Sequence, residues 1–299
     1  MKNIAALLFL FFLQQNIFSQ QSNIIKSGDG FLHYKIFGKG KPILIINGGP
    51  GMNSDGFDGI ATLLSGNNMT ITYDQRGTGK STLPKIDANT ISMNLMVADI
   101  ETLRNHLKID KWIILGHSFG GMLASYYTTI HPEHIEGLIL SSSGGLDLGL
   151  LSYMSIQSRL SKEESDSLNY WNAKIDAGDT SYHARLGRGM ALAPAYVFNR
   201  EFIPLIAERL TQGNSKINNL VWDDMRKIKF DCTNKLRTFD KPVLIIQGQH
   251  DIIEEKTANK AHEVFKKSTV VLLDHSVHYG WLDNKEGYLS AVKKFLASL

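Results

Sequence analysis

Cysteine is almost missing from this chain: Cys232 is the only one in 299 residues. An internal disulfide is thereby excluded, and so is any cysteine-rich metal site. The ten histidines fall at scattered spacings without an HExxH pattern, which argues against a zinc-binding helix of that type. Neither sign of charge prevails: 32 Lys+Arg face 29 Asp+Glu for a formal +3, too slight a surplus for a dedicated nucleic-acid surface. Internal repeats and low-complexity tracts are absent. What is present, 43% hydrophobic and 20% charged residues, is an ordinary core-forming composition and excludes a disordered, collagen-like or coiled-coil chain. At about 100–200 residues per domain, the length allows one large domain or two modest ones.

The start of the chain reads differently from the rest. Lys2 is the only charge in residues 1–19, residues 4–13 form an unbroken apolar run, and small Ser19 follows a polar stretch. A basic start, a short apolar centre and a small residue describe an export signal. The run is far below the roughly 18–20 residues that span a bilayer, and a lipoprotein would need a cysteine near the cut. The alternative, a buried N-terminal helix, lacks a polar face at helical spacing. We therefore expect a periplasmic or secreted protein with no membrane span and with Cys232 unpaired and buried.

Beyond the signal, apolar strand-like runs alternate with helical patterns, the mark of a mostly parallel sheet with helices on both faces. Residues 31–37, 42–47 (PILIIN), 69–73, 112–115 (WIIL), 135–140, 242–247 (PVLIIQ) and 269–273 read as strands. Helices are expected over 94–107, 119–130, near 256–266, and over about the last dozen residues. Between about residues 144 and 240 the alternation breaks. That interval has Trp171, Trp222 and mixed helical patterns but no long β-rich run, and it is too long for a loop. It reads as a helical lid.

The sharpest motif is Gly116-His117-Ser118-Phe119-Gly120-Gly121, which follows WIIL at once and opens a helix. G-x-S-x-G between a strand and a helix is a nucleophile elbow, a strained turn that only glycine tolerates two positions to either side. The following helix points its N-terminal N–H groups at the serine and favours negative charge there. A nucleophilic serine needs a base, and the base needs an orienting acid. In this architecture they follow in the order Ser, Asp or Glu, His. Asp251, just past PVLIIQ, is the expected acid, with Glu254 and Glu255 as rivals in the next helix's first turn. His278 is the expected base, because a loop of several residues must swing the ring back over Ser118. His275 is its rival, and His117 reads as packing. After PILIIN, Asn47-Gly48-Gly49-Pro50-Gly51 is placed to complete an oxyanion hole. The N–H groups of Phe119 and Gly49 are the expected donors, with Gly48 as the alternative to Gly49. No lysine closes the loop as a phosphate-binding loop requires.

Asn47–Gly51, the run Tyr73-Asp74-Gln75-Arg76-Gly77-Thr78-Gly79-Lys80-Ser81 and the Ser118 elbow together resemble the proline iminopeptidase family of α/β-hydrolases. That family shows HGGPG, DQRG[ST]G-[KR]-S and GxSxGG in this order. The resemblance covers residues 31–143 and 241–299. It implies an α/β-hydrolase fold: a mostly parallel, doubly wound sheet with a helical lid insertion. The domains would be a signal peptide (1–19), a first core part (20–143), the lid (144–240) and a second core part (241–299). It further implies a serine aminopeptidase that releases an N-terminal, proline-type residue from a small peptide or amide. Ser118, Asp251 and His278 would form the triad and Gly49 and Phe119 would bind substrate, with no metal and no cofactor. Asp74 and Arg76 would bind each other or nearby loops and hold the Gly49 turn.

Two departures stand out. Position 47 is Asn where the family has His. The family's aminopeptidases also bind the substrate amine through lid acids. Here Glu201, Glu208, Asp223 and Asp224 are available, but no motif singles one out. An esterase or lactonase using the same triad is the nearest alternative, and a pocket-facing lid carboxylate is the feature that separates the two. Dehalogenase and epoxide hydrolase chemistry is disfavoured because position 118 is Ser rather than Asp. A non-enzymatic binding protein on the same scaffold is the alternative of a different class.

Overall fold

Uncharged runs of Ile, Leu and Val build one sheet because each strand can bury both faces under helices. The computed structural model describes residues 20–149 and 156–299; the expected signal at 1–19 lies outside them. The strands are β1 (Gln21–Ser27), β2 (Gly30–Phe37), β3 (Lys41–Ile46), β4 (Asn68–Tyr73), β5 (Trp112–His117), β6 (Ile135–Ser141), β7 (Val243–Gly248) and β8 (Ser268–Leu273). Their order across the sheet is β1-β2-β4-β3-β5-β6-β7-β8. The first two strands form an antiparallel hairpin, β2 also runs antiparallel to β4, and from β4 to β8 every pairing is parallel.

Among the helices that pack on the sheet are α1 (Asp58–Leu64), α2 (Met93–His106) and α3 (Phe119–Ile130). The period-2 alternation of strands divides the core into two layers. Leu44, Ile46, Ile114, Leu138 and Ile245 face Met96, Ile100, Leu103, Met122 and Leu123 of α2 and α3. Ile43, Ile45, Ile113, Leu115, Ile139 and Leu244 face the other way, onto Ile60 and Leu64 of α1 and onto aromatic residues near the C-terminus. Truncating any one of these isoleucines to Ala would cost about 2–5 kcal/mol.

Between β6 and β7 the chain forms α4 (Lys162–Asp176), α5 (Tyr182–Leu192), α6 (Ile203–Leu210), α7 (Ser215–Lys227) and α8 (Thr233–Leu236). Helix α4 begins with a capping box in which Ser161 and Glu164 each satisfy the other's backbone N–H. Helix α7 turns Ile217, Val221 and Met225, spaced by four, into the core beneath it. The neck of this interval is closed by a bridge between Asp147 and Asp231 and by the Cys232 N–H on the Leu146 carbonyl at 2.8 Å. Cys232 is free and buried, and burial pushes its thiol up to about 12. After β7 come α9 (Glu255–Val264), α10 (Gly280–Asp283) and α11 (Lys285–Ala297).

Strand β1 and helix α1 are additions to what the sequence pattern predicts. β1 is an edge strand whose first four residues are exposed, so it lacks the apolar run that marks the others. No helix among the described residues is long and apolar enough to cross a membrane.

Candidate active site

The elbow is strained as its sequence requires. Ser118 stands between β5 and α3 at φ 54°, ψ −121°, a conformation that costs a residue with a side chain on the order of 1–3 kcal/mol. The surroundings hold it there: its N–H donates to the Ser141 carbonyl at 3.0 Å, and its own carbonyl accepts from Gly121 and Gly144 at 3.0 Å each. Side chains cannot replace the flanking glycines. A Cβ at Gly116 would lie 2.4 Å from the Gly120 carbonyl oxygen, and one at Gly120 would lie 2.1 Å from that of Ile46.

Asp251 stands in the loop after β7 and His278 in the loop after β8. His278 Nδ1 lies 2.8 Å from Asp251 Oδ1, and both side chains are buried. A carboxylate only accepts, so Nδ1 carries the proton and Nε2 keeps the free lone pair. The Ile253 N–H also donates to Asp251 Oδ1 at 3.1 Å. Arg159 donates to the backbone carbonyls of His250 and Asp251. The His278 N–H is held by the Tyr196 carbonyl at 3.0 Å. Asp283 pins the same loop, accepting from the N–H groups of Val277 at 2.9 Å, Phe198 at 2.9 Å and Asn199 at 3.1 Å.

The rivals stand elsewhere. His275 is exposed, with φ 50° and its ring edge-on to Phe198 at 5.1 Å. Glu254 precedes α9 and pairs with Lys256 at 2.7 Å, while Glu255 occupies the first turn of α9. His117 is buried against His278, Tyr279 and Trp281, with ring centroids 4.6, 5.1 and 4.8 Å away.

Ser118 and His278 open into one cavity of about 280 Å³, which Gly48, Gly49 and Phe119 also line. A Cβ at Gly48 would lie 2.7 Å from Ser118 Cβ, so this backbone packs directly on Ser118. Gly49 has φ +72°, and a Cβ there would meet Met52 Sδ at 2.2 Å. The N–H groups of Gly49 and Phe119 donate to no other group among the described residues. Asn47, in the place of the family's His, is buried and its Nδ2 bridges the carbonyls of Gly48 at 3.1 Å and Met52 at 3.0 Å. The loop is therefore stapled by an amide that donates twice.

Asp74 and Arg76 do not bind each other. Asp74 accepts from the Ser54 N–H and hydroxyl at 2.9 and 2.8 Å, from the Lys80 N–H at 2.9 Å, and lies 2.9 Å from His33 Nδ1. Burial opposes its ionisation, but these hydrogen bonds outweigh burial and hold its carboxyl below the usual range. Arg76 instead places its fork on Asp99 of α2 at 2.7 and 2.8 Å. The Gly49 loop is thus tied to the 73–81 turn through Asp74 and Ser54, with Gln75 Nε2 adding a bond to the Asn47 carbonyl at 2.9 Å.

None of the four lid acids lines the cavity. Asp223 pairs with Arg226 at 2.6 Å, Asp224 caps α2 through the Met93 N–H at 2.7 Å, Glu208 accepts from the Tyr182 hydroxyl at 2.5 Å, and Glu201 is exposed beside Asn199. Residues 150–155 contain no acid. Apart from the site groups, the lining is Pro50, Met52, His117, Met122, Ile156, Tyr196, Leu210, Trp222, Ile252 and Tyr279, with Asn218 as its one amide. Outside the cavity, Glu101, His131 and His134 are grouped closely enough to hold a cation, but Glu101 already accepts the Arg104 fork and the Tyr127 hydroxyl.

The sequence reading missed Arg159, Tyr196 and Arg209, three lid residues that bond the loops of the site. Nothing in a single sequence separates a lid arginine that docks on another loop from one that faces solvent.

Comparisons with known proteins agree with this architecture. The family described as the alpha/beta hydrolase fold matches residues 41–285. A proline iminopeptidase of Heyndrickxia coagulans is 28% identical over 271 residues, covering 88% of this chain and 92% of the relative. Among solved structures, a proline iminopeptidase of Mycobacterium smegmatis superposes with a TM-score of 0.73 at 21% identity, covering 93% of this chain and 98% of its own. An esterase of Exiguobacterium antarcticum gives 0.71 at 19% identity, covering 93% and 100%.

Proposed function

The chain belongs to the α/β hydrolase fold family, and we propose that within it this protein is a serine hydrolase working through an acyl-enzyme. One observation carries the reading: a histidine already paired with a buried carboxylate opens into the same cavity as a serine on a strained elbow. His278 Nε2 takes the Ser118 proton as Oγ attacks the substrate carbonyl, and Asp251 stabilises the imidazolium that results. The carbonyl electrons move onto oxygen, where the N–H groups of Gly49 and Phe119 receive the negative charge. His278 then gives its proton to the leaving group as the bond to it breaks. Water repeats the sequence on the acyl-enzyme and frees Ser118. A fluorophosphonate probe tests this: it should label the wild-type protein and leave Ser118→Ala unlabelled. A wild-type protein left unlabelled would favour the non-enzymatic scaffold.

For the substrate, the space beside Ser118 favours an uncharged, apolar acyl group on an ester or amide, because its own lining carries no carboxylate; the lid acids Asp176 and Asp179 line the adjoining cavity that shares Gly49, Pro50, Met52, Tyr196, Leu210 and Asn218 with it. The second reading is the proline-type aminopeptidase, supported by the curated relatives of that name. Residues 1–19 fit an export signal by their charge and apolar run, and on that basis we propose a periplasmic or secreted enzyme. Mass analysis of the N-terminus after expression in a host with a secretion pathway tests that assignment.

A further inference from the structure

Buried Lys35, Arg76 and Arg104 each pair with a carboxylate. Arg209, near the end of lid helix α6, does not. Its side chain is 3% exposed, and it donates to the carbonyls of Gly48 at 3.0 Å and Asn53 at 3.3 Å and to Gln212 Oε1 at 3.5 Å. Its Nε has no partner among the described residues, and the guanidinium lies over the Phe57 ring, 4.7 Å from the centroid. A buried cation that spends its charge on neutral acceptors is costly to stability. The acceptor at the shortest of these distances is the carbonyl of the loop that faces Ser118.

That carbonyl shares a peptide with a candidate oxyanion donor. The Gly48 C=O and the Gly49 N–H belong to one planar trans unit and point in opposite directions. Whatever fixes the carbonyl on one side therefore aims the N–H to the other. Two donors fix it: Asn47 Nδ2 at 3.1 Å, from the same loop, and Arg209, 161 positions away in sequence. Hydrogen bonding to the carbonyl also polarises the peptide and strengthens its N–H as a donor, and a charged donor does so more strongly than an amide.

We propose that Arg209 is a positioning residue of the oxyanion hole: it orients and polarises the Gly48–Gly49 peptide so that Gly49 N–H meets the developing oxyanion. The lid is then part of the catalytic apparatus as well as a cover, because α6 supplies one of the two groups that set this peptide. The proposal rests on the serine hydrolase reading of the same site.

The test compares wild type with Arg209→Lys and Arg209→Met. Active sites are counted with a fluorophosphonate, so any unfolded fraction drops out of kcat. Turnover of an aryl ester is measured alongside inhibition by an aryl trifluoromethyl ketone. Ser118 Oγ adds to this ketone, its proton passing to His278 and the ketone oxygen becoming a bound oxyanion. Removing a whole oxyanion donor costs roughly 10²–10³ in kcat. A misaimed, depolarised donor should cost about 10- to 100-fold per titrated site, with KM within about threefold. Ketone affinity should weaken in parallel with kcat/KM in both variants. A kcat per titrated site within about twofold of wild type would overturn the proposal. So would a fall in kcat with ketone affinity unchanged, since the lost stabilisation would then lie elsewhere. If wild type itself takes no fluorophosphonate, the hydrolase reading fails and the role of Arg209 goes with it. Labelled wild type with unaffected variants removes the Arg209 role alone.

Discussion

The rings of His117 and His278 lie 4.6 Å apart, centroid to centroid, at one end of the cavity, yet only His278 has a carboxylate partner. Neither ring nitrogen of His117 bonds a side chain among the described residues, and its side chain is enclosed by Phe57, Tyr279 and Trp281. Burial, with the nearby His278 and Arg209 as smaller contributions, pushes its pKa well below the usual histidine value of 6.5. His117 therefore stays neutral beside His278, and in the proposed mechanism a neutral ring does not oppose the imidazolium that His278 would become.

This burial has a consequence for stability. Between the depressed folded value and 6.5, the unfolded chain binds a proton at His117 that the native protein does not. Stability must therefore fall as pH drops below 6.5, by roughly 1.4 kcal/mol per pH unit for one proton; above that value His117 contributes no slope. Urea unfolding at pH 7.0 and 5.5 (about one unit below the histidine midpoint) should show His117→Gln losing less stability than wild type. Parallel losses in the two proteins would contradict the assignment.

The choice between the two late histidines is equally direct. His278→Ala and Ser118→Ala should each lose about 10⁶-fold in kcat, and Asp251→Asn about 10⁴-fold, on the precedent of other triads. His275→Ala removes an exposed ring set edge-on to Phe198 and should stay within about twofold of wild type. Equal losses at positions 275 and 278 would undo the assignment of the base.

Much of this arrangement is legible in the amino-acid order, for physical reasons. Strands buried on both faces must be continuously apolar, so PILIIN, WIIL and PVLIIQ announce themselves. The elbow is legible because two of its neighbours have no room for a Cβ. The loops that bring Asp251 to His278 follow from the order of strands in a parallel sheet, where successive strand ends meet at one edge. Strand β1 escapes because an edge strand need not be apolar. The pairings of Asp74 and Arg76 escape because a run such as DQRGTGKS says which side chains are near one another, not which acceptors fold in from elsewhere. Arg76 finds Asp99 in α2, and Asp74 finds Ser54 across the Gly49 loop. Arg209 is the extreme case, since its partner at Gly48 is neutral backbone, which no charge pattern reveals.

The Arg76–Asp99 pair should matter to the fold. The side chains are 7% and 2% exposed and joined at 2.7 Å, and Asp99 also accepts the Ser27 hydroxyl at 2.6 Å. Removing one member leaves an uncompensated buried charge, which costs about 3–5 kcal/mol. Asp99→Ala should lower the free energy of urea unfolding by that amount. Pairing Asp99→Leu with Arg76→Met should recover most of it, because no charge is then left stranded. A loss below about 1 kcal/mol for the single variant would place the pair among those that solvent already satisfies.

The last expectation concerns the substrate. Every Asp and Glu of the chain is a described residue, and the cavity at Ser118 is lined by none of them. Asp251 lies behind His278 and is committed to it. A protonated N-terminal amine held within this lining would lose its hydration and find Asn218 but no carboxylate, since Asp176 and Asp179 line only the adjoining cavity beyond Asn218 and Tyr196. Leaving a charged donor unpaired costs about 1–3 kcal/mol or more, roughly a tenfold to hundredfold penalty in kcat/KM. An N-acetylated aminoacyl arylamide carries no such charge and avoids the penalty. Three substrates distinguish the readings: prolyl arylamide with a free amine, its N-acetyl derivative, and a short-chain aryl ester. We expect the ester to turn over fastest and acetylation to leave amide cleavage equal or faster. If the free prolyl arylamide is instead cleaved at least tenfold better than its acetylated form, an amine-binding group must reach the bound substrate, and the aminopeptidase reading displaces the esterase.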